Sequence, residues 1–282
     1  GQDGAYLAQF LLKKNYRVIG ADRRSARDNK WRLRYLNIEN KIEIVNIDLT
    51  EITSLISLFE KYKFNEVYNL AAQSFVGTSF VNPITTSQAT AIGPLNILEV
   101  IKNLKQKPKF YQASSSEMFG DVKNNFQNEL SNFNPQSPYA ISKVFAHHIT
   151  KNYRDSYKIF AVNGILFNHE SPLRGEEFIT RKITLGLSKI IVGKLNFLEV
   201  GNIYAKRDWG FAGDYVEAMW KMLQQKRPED YVIATGKTYN IKSFINTATK
   251  ILGMKTKWVG KDLNERLINL TNKKIIIKIN KK

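Results

Sequence analysis

Not one cysteine occurs among the 282 residues. That excludes disulfide staples, thiolate nucleophiles and cysteine-held metals. It is consistent with a reducing cytosol, the compartment expected here. Histidine is nearly as scarce: His147, His148 and His169 are the whole complement, and they do not make a convincing metal site. No apolar run is long enough to cross a bilayer, and the opening residues do not read as a signal peptide. Internal repeats and long low-complexity linkers are also missing. Acidic residues are outnumbered, 25 against 43 basic, leaving a formal charge of +18. Such charge can mark a nucleic-acid or anionic-membrane surface. Here the lysines are scattered, apart from a small concentration at the end (Lys273, Lys274, Lys278, Lys281, Lys282). No basic stripe interleaves with aromatics, so a nucleic-acid partner is not the expectation. A lysine-rich enzyme surface, partly serving phosphate-bearing ligands, accounts for the charge better.

What is present is a hydrophobic fraction of 43%, enough core for one large α/β unit or two domains. "YLAQFLLKKN" reads as an amphipathic helix and "YRVIGA" as a buried strand. "KIEIVNIDL", "EVYNLAA", "PKFYQASSS" and "KIFAVNGILFN" read as further strands. Between them, "ITSLISLFEKY", "GPLNILEVIKNLK" and a long segment from Tyr139 read as helices. Alternation of helices with strands apolar on both faces indicates a parallel sheet covered by helices. The expected fold is α/β, a Rossmann-like doubly wound parallel sheet over residues 1–167. A smaller part, 168–282, is expected to lean on the sheet's C-terminal edge and bind substrate. "DYVEAMWKMLQQ" (214–225) reads as a packed helix with Met219 and Trp220 in the core.

The chain opens on "GQDGAYLAQFLL", with Gly1 and Gly4 directly before a helix. In dinucleotide-binding folds a glycine-rich turn lets the backbone approach a pyrophosphate at a helix N-terminus. Two glycines three apart are a weak signal, and a plain helix start explains them equally. "IGADRRSA" then puts Asp22, Arg23 and Arg24 at the tip of a strand where the adenosine ribose would lie. An acid there suits the free 2′-hydroxyl of NAD, and arginines suit the 2′-phosphate of NADP. Two adjacent arginines favour NADP, with NAD still open. Asp48 and Leu49 follow the next strand, where an adenine would rest. "NLAAQS" (69–74) ends a strand in small residues, as a backbone passing close to a cofactor requires.

"SPYAISK" (137–143) sets Tyr139 one helical turn before Lys143 on one face. An ammonium beside a phenol favours the phenolate, a base for an alcohol proton. The spacing alone is common, and a chance pair on a surface helix is the competing explanation. "ASSSEMFG" (113–120) supplies Ser115 and Glu117 at the end of another strand. A strand-end hydroxyl, a carboxyl and the Tyr–Lys pair in this order are far more specific than any one of them.

These motifs resemble those of the extended short-chain dehydrogenase/reductases, and within them the GDP-mannose 4,6-dehydratase family. The resemblance is carried by "GQDGAYLA", "YNLAAQS", "QASSSEMFG", "SPYAISK", "FNHESPLRGEEFITRKIT", "AKRDWGFAGDYVEAMW" and "DYVIATG". It implies GDP-mannose as substrate, NADP as bound cofactor and a 4-keto-6-deoxy sugar nucleotide as product, in nucleotide-sugar metabolism leading to GDP-fucose. Tyr139, aided by Lys143, would take the proton of the sugar 4-hydroxyl while C4 gives its hydride to NADP. Glu117 would remove the acidified C5 proton and help water leave C6, to which the hydride returns. Ser115 would hydrogen-bond the 4-oxygen. By the same resemblance Gly1, Gln2, Asp3, Gly4, Arg23, Arg24, Asp48, Leu49, Leu70, Ala71, Ala72 and Ser74 border the cofactor. Tyr139 and Lys143 also touch it, and His169 and Arg174 approach its nicotinamide half. Ser74, Ser115, Asn168, Ile179, Lys182 and Arg207 would contact the sugar nucleotide, with Arg207 pairing with phosphate oxygens.

The resemblance has departures. A first strand with its glycine and a closing nucleotide-binding segment are expected to be missing, as in a chain shortened at both ends. Phe75 stands where relatives often carry histidine, and Thr85 where they usually carry tyrosine. "RRSARDNKWRLRYL" lies where relatives build a tetramer, which implies a homo-oligomer, dimer or tetramer. Two alternatives stay open on the residues: a sugar-nucleotide epimerase or reductase, which would not need Glu117, and a basic nucleic-acid-binding protein.

Overall fold

The structure is a computed structural model that describes residues 1–26, 28–122 and 126–280. Arg27 in the basic stretch, and Lys281 and Lys282 at the end, lie outside the described residues. In chain order, α1 (Gln2–Lys13), β1 (Ile19–Asp22), α2 (Trp31–Tyr35), β2 (Glu43–Asn46), α3 (Ile52–Lys61) and β3 (Glu66–Asn69) come first. Next come α4 (Val76–Val81), α5 (Pro83–Ser87), a π-helical turn at Gln88–Ile92, α6 (Gly93–Lys102) and β4 (Lys109–Ser115). The middle of the chain forms α7 (Pro138–Tyr157), β5 (Ala161–Leu166), β6 (Asn168–Glu170), α8 (Ile179–Ile191), β7 (Leu198–Val200) and β8 (Lys206–Phe211). Then come α9 (Ala212–Leu223), β9 (Asp230–Ile233), β10 (Thr238–Asn240), α10 (Ile241–Ile251), β11 (Thr256–Val259), β12 (Arg266–Asn269) and β13 (Ile275–Ile279).

Contacts divide the chain into two units, Gly1–His169 with Gly210–Ala234, and Glu170–Trp209 with Thr235–Lys282. This differs from the single cut expected at 167/168. Residues 210–234 return to the first unit because α9 and β9 bury there. β9 pairs in parallel with β5, Asn163 opposite Asp230, and α9 packs on α1, β4 and β5.

In the first unit, β3, β4, β5 and β9 form a parallel sheet in that order, and β1 pairs in parallel with β2. Side chains alternate between faces along a strand, so neighbours on β4 enter different cores. Phe110 packs with Leu55 and Phe59 of α3, Leu98 and Ile101 of α6 and Tyr153 of α7. Tyr111 packs with Leu7 and Leu11 of α1 and Val216, Met219 and Leu223 of α9. Helices on both faces explain why β4 and β5 read as continuous apolar runs. Each fully buried large apolar side chain contributes about 1.5–3 kcal/mol. Met219 is core as expected. Trp220 is only half-buried, its indole N–H donating to the Tyr16 hydroxyl at 2.9 Å, because a buried indole edge needs an acceptor.

In the second unit, β11, β12, β13 and β7 form a mixed sheet. β12 runs antiparallel to β11 and β13, and β13 parallel to β7. Ile183 and Leu187 of α8, Ile245 of α10, and Leu198, Leu267 and Ile277 of the strands form its core. The antiparallel pairs explain why the helix–strand alternation loosens here. No helix among the described residues is long and apolar enough to cross a membrane.

Candidate active site

Helix α7 has a well-defined start. Ser137 Oγ accepts the Ala140 N–H at 3.1 Å, and Pro138 occupies the first turn. A serine cap followed by proline fixes a helix start, so Tyr139 always lies in the first turn. Lys143, one turn on, is 3% exposed. Its Nζ donates to the Ala113 carbonyl of β4 at 2.7 Å and lies 5.8 Å from the centroid of the Tyr139 ring. Burial lowers the Lys143 pKa to about 8, against an opposing pull from the Asp3 carboxylate. Tyr139 is buried at 8% exposure.

Two residues beyond Ala113, β4 ends at Ser115, itself buried. The chain turns there into a short 3-10 segment, Ser116–Met118, with Ser115 Oγ accepting the Glu117 N–H at 3.2 Å. This segment packs on α7, and Glu117 is half-buried on it. The end of β4 thus lies against the helix that carries Tyr139 and Lys143, and the segment that carries Glu117 packs on that helix. The arrangement can move a proton from an alcohol and a second from an adjacent carbon.

The opening glycines lie against a longer helix than expected. α1 starts at Gln2 with Gly1 as its cap, so Gln2, Asp3 and Gly4 all belong to its first turn. Asp3 suits that end of the helix dipole. Among the described residues, apart from chain neighbours and the helix's own backbone, nothing lies within 4 Å of where a Cβ would stand on Gly1 or Gly4. The helix terminus is thus open to a close-approaching phosphate. Gln2 is buried, its Nε2 donating to the His169 carbonyl at 2.8 Å. His169 Nε2 lies 2.9 Å from Asp3 Oδ2, and Nδ1 lies 2.8 Å from the Phe167 carbonyl. Both partners can accept a hydrogen bond from the ring. The ring stacks on Tyr215 with centroids 4.4 Å apart. His169 thus ties β6 to the start of α1.

At the tip of β1, Asp22 Oδ1 accepts the Arg23 N–H at 2.9 Å, and Oδ2 accepts from Asn29 at 3.3 Å. Arg23 and Arg24 are exposed. Asp48 accepts from the Thr50 N–H and hydroxyl, which lower its pKa. Leu49 is half-buried against the α3–α6 core. Leu70 and Ala72 are half-buried, Ala71 and Ser74 exposed. Their loop is held by Thr90 of the π-helical turn, whose hydroxyl accepts the Gln73 N–H at 3.3 Å. Sequence reasoning missed Thr90, since a π turn has no signature beside ordinary helix. Phe75 and Thr85 are both exposed.

Asn168 is half-buried in β6 of the first unit. Ser74 and Ser115 belong to the same unit, whereas the expected substrate contacts Ile179, Lys182 and Arg207 and the expected cofactor contact Arg174 belong to the second. Arg174 pairs with Glu170 at 3.5 Å and lies 3.6 Å over the Phe178 ring. Ile179 starts α8 and packs into the second unit's core, and Lys182 is exposed on the same helix. Arg207 is exposed on β8, opposite Tyr239 of β10. Its neighbour Asp208 is buried and accepts from the N–H groups of Thr235 and Gly236 and the Thr235 hydroxyl. This fixes the strand that carries Arg207. Among the described residues no cluster of three or more histidines and acids could hold a metal.

A family model described as GDP-mannose 4,6 dehydratase matches residues 1–282. The chain is 48% identical over 275 residues to the GDP-mannose 4,6-dehydratase of Vibrio cholerae serotype O1, covering 95% of this chain and 74% of that protein. It is 46% identical over 273 residues to the GDP-mannose 4,6 dehydratase of Homo sapiens, covering 94% and 73%. Among solved structures it resembles the UDP-glucose 4-epimerase of Thermotoga maritima, with a TM-score of 0.81 at 20% identity over 99% of this chain and 83% of that one. It also resembles the dTDP-glucose 4,6-dehydratase of Streptomyces venezuelae with NAD bound, at 0.80 and 20% identity over 90% and 79%. These two share the fold.

Proposed function

The chain belongs to the GDP-mannose 4,6-dehydratase family, and on that premise we propose that it converts GDP-mannose to GDP-4-keto-6-deoxymannose with loss of water. What supports this reading is that Lys143, on the helix bearing Tyr139, bonds to Ala113 two residues before Ser115, and that the segment bearing Glu117 packs on the same helix. Tyr139 removes the proton of the 4-hydroxyl, and the Lys143 ammonium favours its phenolate. The Ser115 hydroxyl faces the 4-oxygen. Glu117 takes the proton from C5 and passes it to the departing 6-hydroxyl as water leaves, and C5 takes up a proton once hydride has come back to C6. An epimerase of the same fold has no need of that carboxyl.

NADP is the proposed cofactor. The open helix terminus at Gly1 and Gly4 would hold its pyrophosphate, and Arg23 and Arg24 a 2′-phosphate. When bound, it accepts hydride from C4 and returns it to C6, so turnover needs no added reductant. Lys182 and Arg207 would pair with the diphosphate of the substrate.

The reading includes a homo-oligomer in the cytoplasm. Phe80, Val81 and Ile84 of α4 and α5, and Ile141 and Phe145 of α7, stand exposed on helices that pack together. Apolar surface concentrated in this way favours a second copy over bulk water. The test of the activity is incubation of the protein with GDP-mannose. Mass spectrometry should find a product lighter by one water, without consumption of added nicotinamide. An unchanged sugar nucleotide, or an isomer of equal mass, would refute it.

A further inference from the structure

We propose that His147 is a positioning residue for the reaction. With Ser114, Asn163 and Asp230, it locks α7 onto β4 in the register that sets Tyr139 and Lys143 beside Ser115. The inference rests on the catalytic reading above, and its test separates the two.

His147 lies one turn beyond Lys143 and two beyond Tyr139, on the same face of α7. It is 5% exposed. Along β4, three consecutive residues engage this site. The Ala113 carbonyl holds Lys143, Ser114 Oγ meets His147 Nδ1 at 3.3 Å, and Ser115 carries the reacting hydroxyl. A slip of α7 along the strand would break the first two contacts together and misplace the third.

The hydrogen-bond directions run as a chain from Asp230 through Asn163 and Ser114 to His147. Asn163 Nδ2 donates to the His147 carbonyl at 3.1 Å and to Asp230 Oδ1 at 2.9 Å. Its Oδ1 therefore faces Ser114, and the Ser114 hydroxyl must donate to it, at 3.3 Å. Ser114 Oγ is then left to accept, so His147 carries its proton on Nδ1. His147 Nε2 stands 3.6 Å from Asp230 Oδ2, too far for a hydrogen bond. Arg154, two turns further along α7, holds Asp230 through two bonds of 2.8 and 3.2 Å. Asp230 on β9 thus holds α7 through Arg154, while Ser114 on β4 meets it at His147.

The charged and titratable groups facing the ring are Asp230 from β9 and Arg154, Lys151 and His148 from α7 itself. The edge of the Phe133 ring covers it at 5.0 Å. Burial outweighs Asp230 and lowers the His147 pKa to about 4, consistent with a ring carrying a single proton. Every polar atom of Asn163 and Ser114 is used within this chain of hydrogen bonds, so a buried network of this kind specifies one geometry.

The test compares His147→Asn, His147→Gln and His147→Leu in the full chain. Asparagine keeps a donor near the Nδ1 position, glutamine moves it toward Nε2, and leucine removes it. The leucine and glutamine variants should lose about tenfold or more in kcat with KM nearly unchanged, since small misplacements of reacting groups are costly. The asparagine variant should recover most of it. A folded leucine variant with the parent kcat, or a glutamine variant as active as the asparagine one, overturns the proposal. A second measurement does not depend on turnover: the pH dependence of Lys143 acylation, followed by peptide mass spectrometry. Lys143 should titrate near its depressed value in the parent and the asparagine variant, and higher in the glutamine variant as water enters the seam. If the parent does not act on GDP-mannose, the catalytic reading fails while this readout still judges the positioning one. Equal Lys143 titration in all variants overturns it.

Discussion

Lys143 is tied by its Nζ to the carbonyl of Ala113 at 2.7 Å, on the strand it faces. Its ammonium is thereby fixed 5.8 Å from the centre of the Tyr139 ring. A charge already held in place costs no reorganisation when a phenolate forms. The same bond couples the helix that carries Tyr139 to the strand that ends in Ser115.

The first expectation concerns pH. Lys143 is lowered to about 8, chiefly by burial. Below that pH it is protonated in both folded and unfolded chains, and the folded state bears the whole cost of a buried ammonium. Between about 8 and the ordinary lysine range the folded chain is neutral and the unfolded chain charged. Stability attributable to this group therefore rises with pH across that window. Activity should move the opposite way. kcat/KM should fall as pH rises through about 8, because the neutral amine no longer favours the phenolate. A rate profile flat to pH 10 would contradict this.

Tyr139→Phe keeps the buried ring and removes the base. Circular dichroism and melting should change little, while kcat falls by about 10²–10⁴, the usual range for a lost general base. A smaller loss would put the proton transfer elsewhere.

Glu117→Gln should leave oxidation at C4 intact and stop the next step. Incubated in deuterated water, this variant should incorporate no deuterium at C5, and water loss should slow by about 10²–10⁴. Undiminished exchange would assign the C5 proton to another group.

Asp3→Asn should weaken the tie between α1 and β6. The carboxylate lies 2.9 Å from His169 Nε2, with the histidine side chain only 9% exposed. Removing one partner of a buried pair typically costs about 3–5 kcal/mol, and the partial exposure of Asp3 puts this loss toward the lower end. Denaturant titration should register it, with weaker binding of the nicotinamide dinucleotide followed by fluorescence.

Arg23→Ala and Arg24→Ala should weaken NADP more than NAD, since each removes a charge-assisted partner of a 2′-phosphate. Competition titrations with the two dinucleotides measure the difference directly. Equal losses for both would assign these arginines to the protein surface.

Local features of the site were legible in the chain. A serine before proline at 137–138 fixes where α7 starts, and the four-residue spacing of Tyr139 and Lys143 puts them on one face, because helical geometry follows from neighbouring residues alone. The apolar runs of β4 and β5 announce burial on both faces for the same reason. His147 belonged to the same spacing series as Tyr139 and Lys143 and was passed over. Its partners Ser114, Asn163 and Asp230 lie on three other strands, and no period links them.

The amino-acid order by itself determined the α/β class, the helix and strand that bear the reacting groups, and the motifs that mark the family. Tertiary structure alone decided that Lys143 answers to Ala113, that His169 meets Asp3 across 166 residues, and that residues 210–234 return to the first unit. Short-range spacing is set by backbone geometry. Which strand comes to lie beside which is set by the burial of many side chains at once, and only the folded chain expresses that sum.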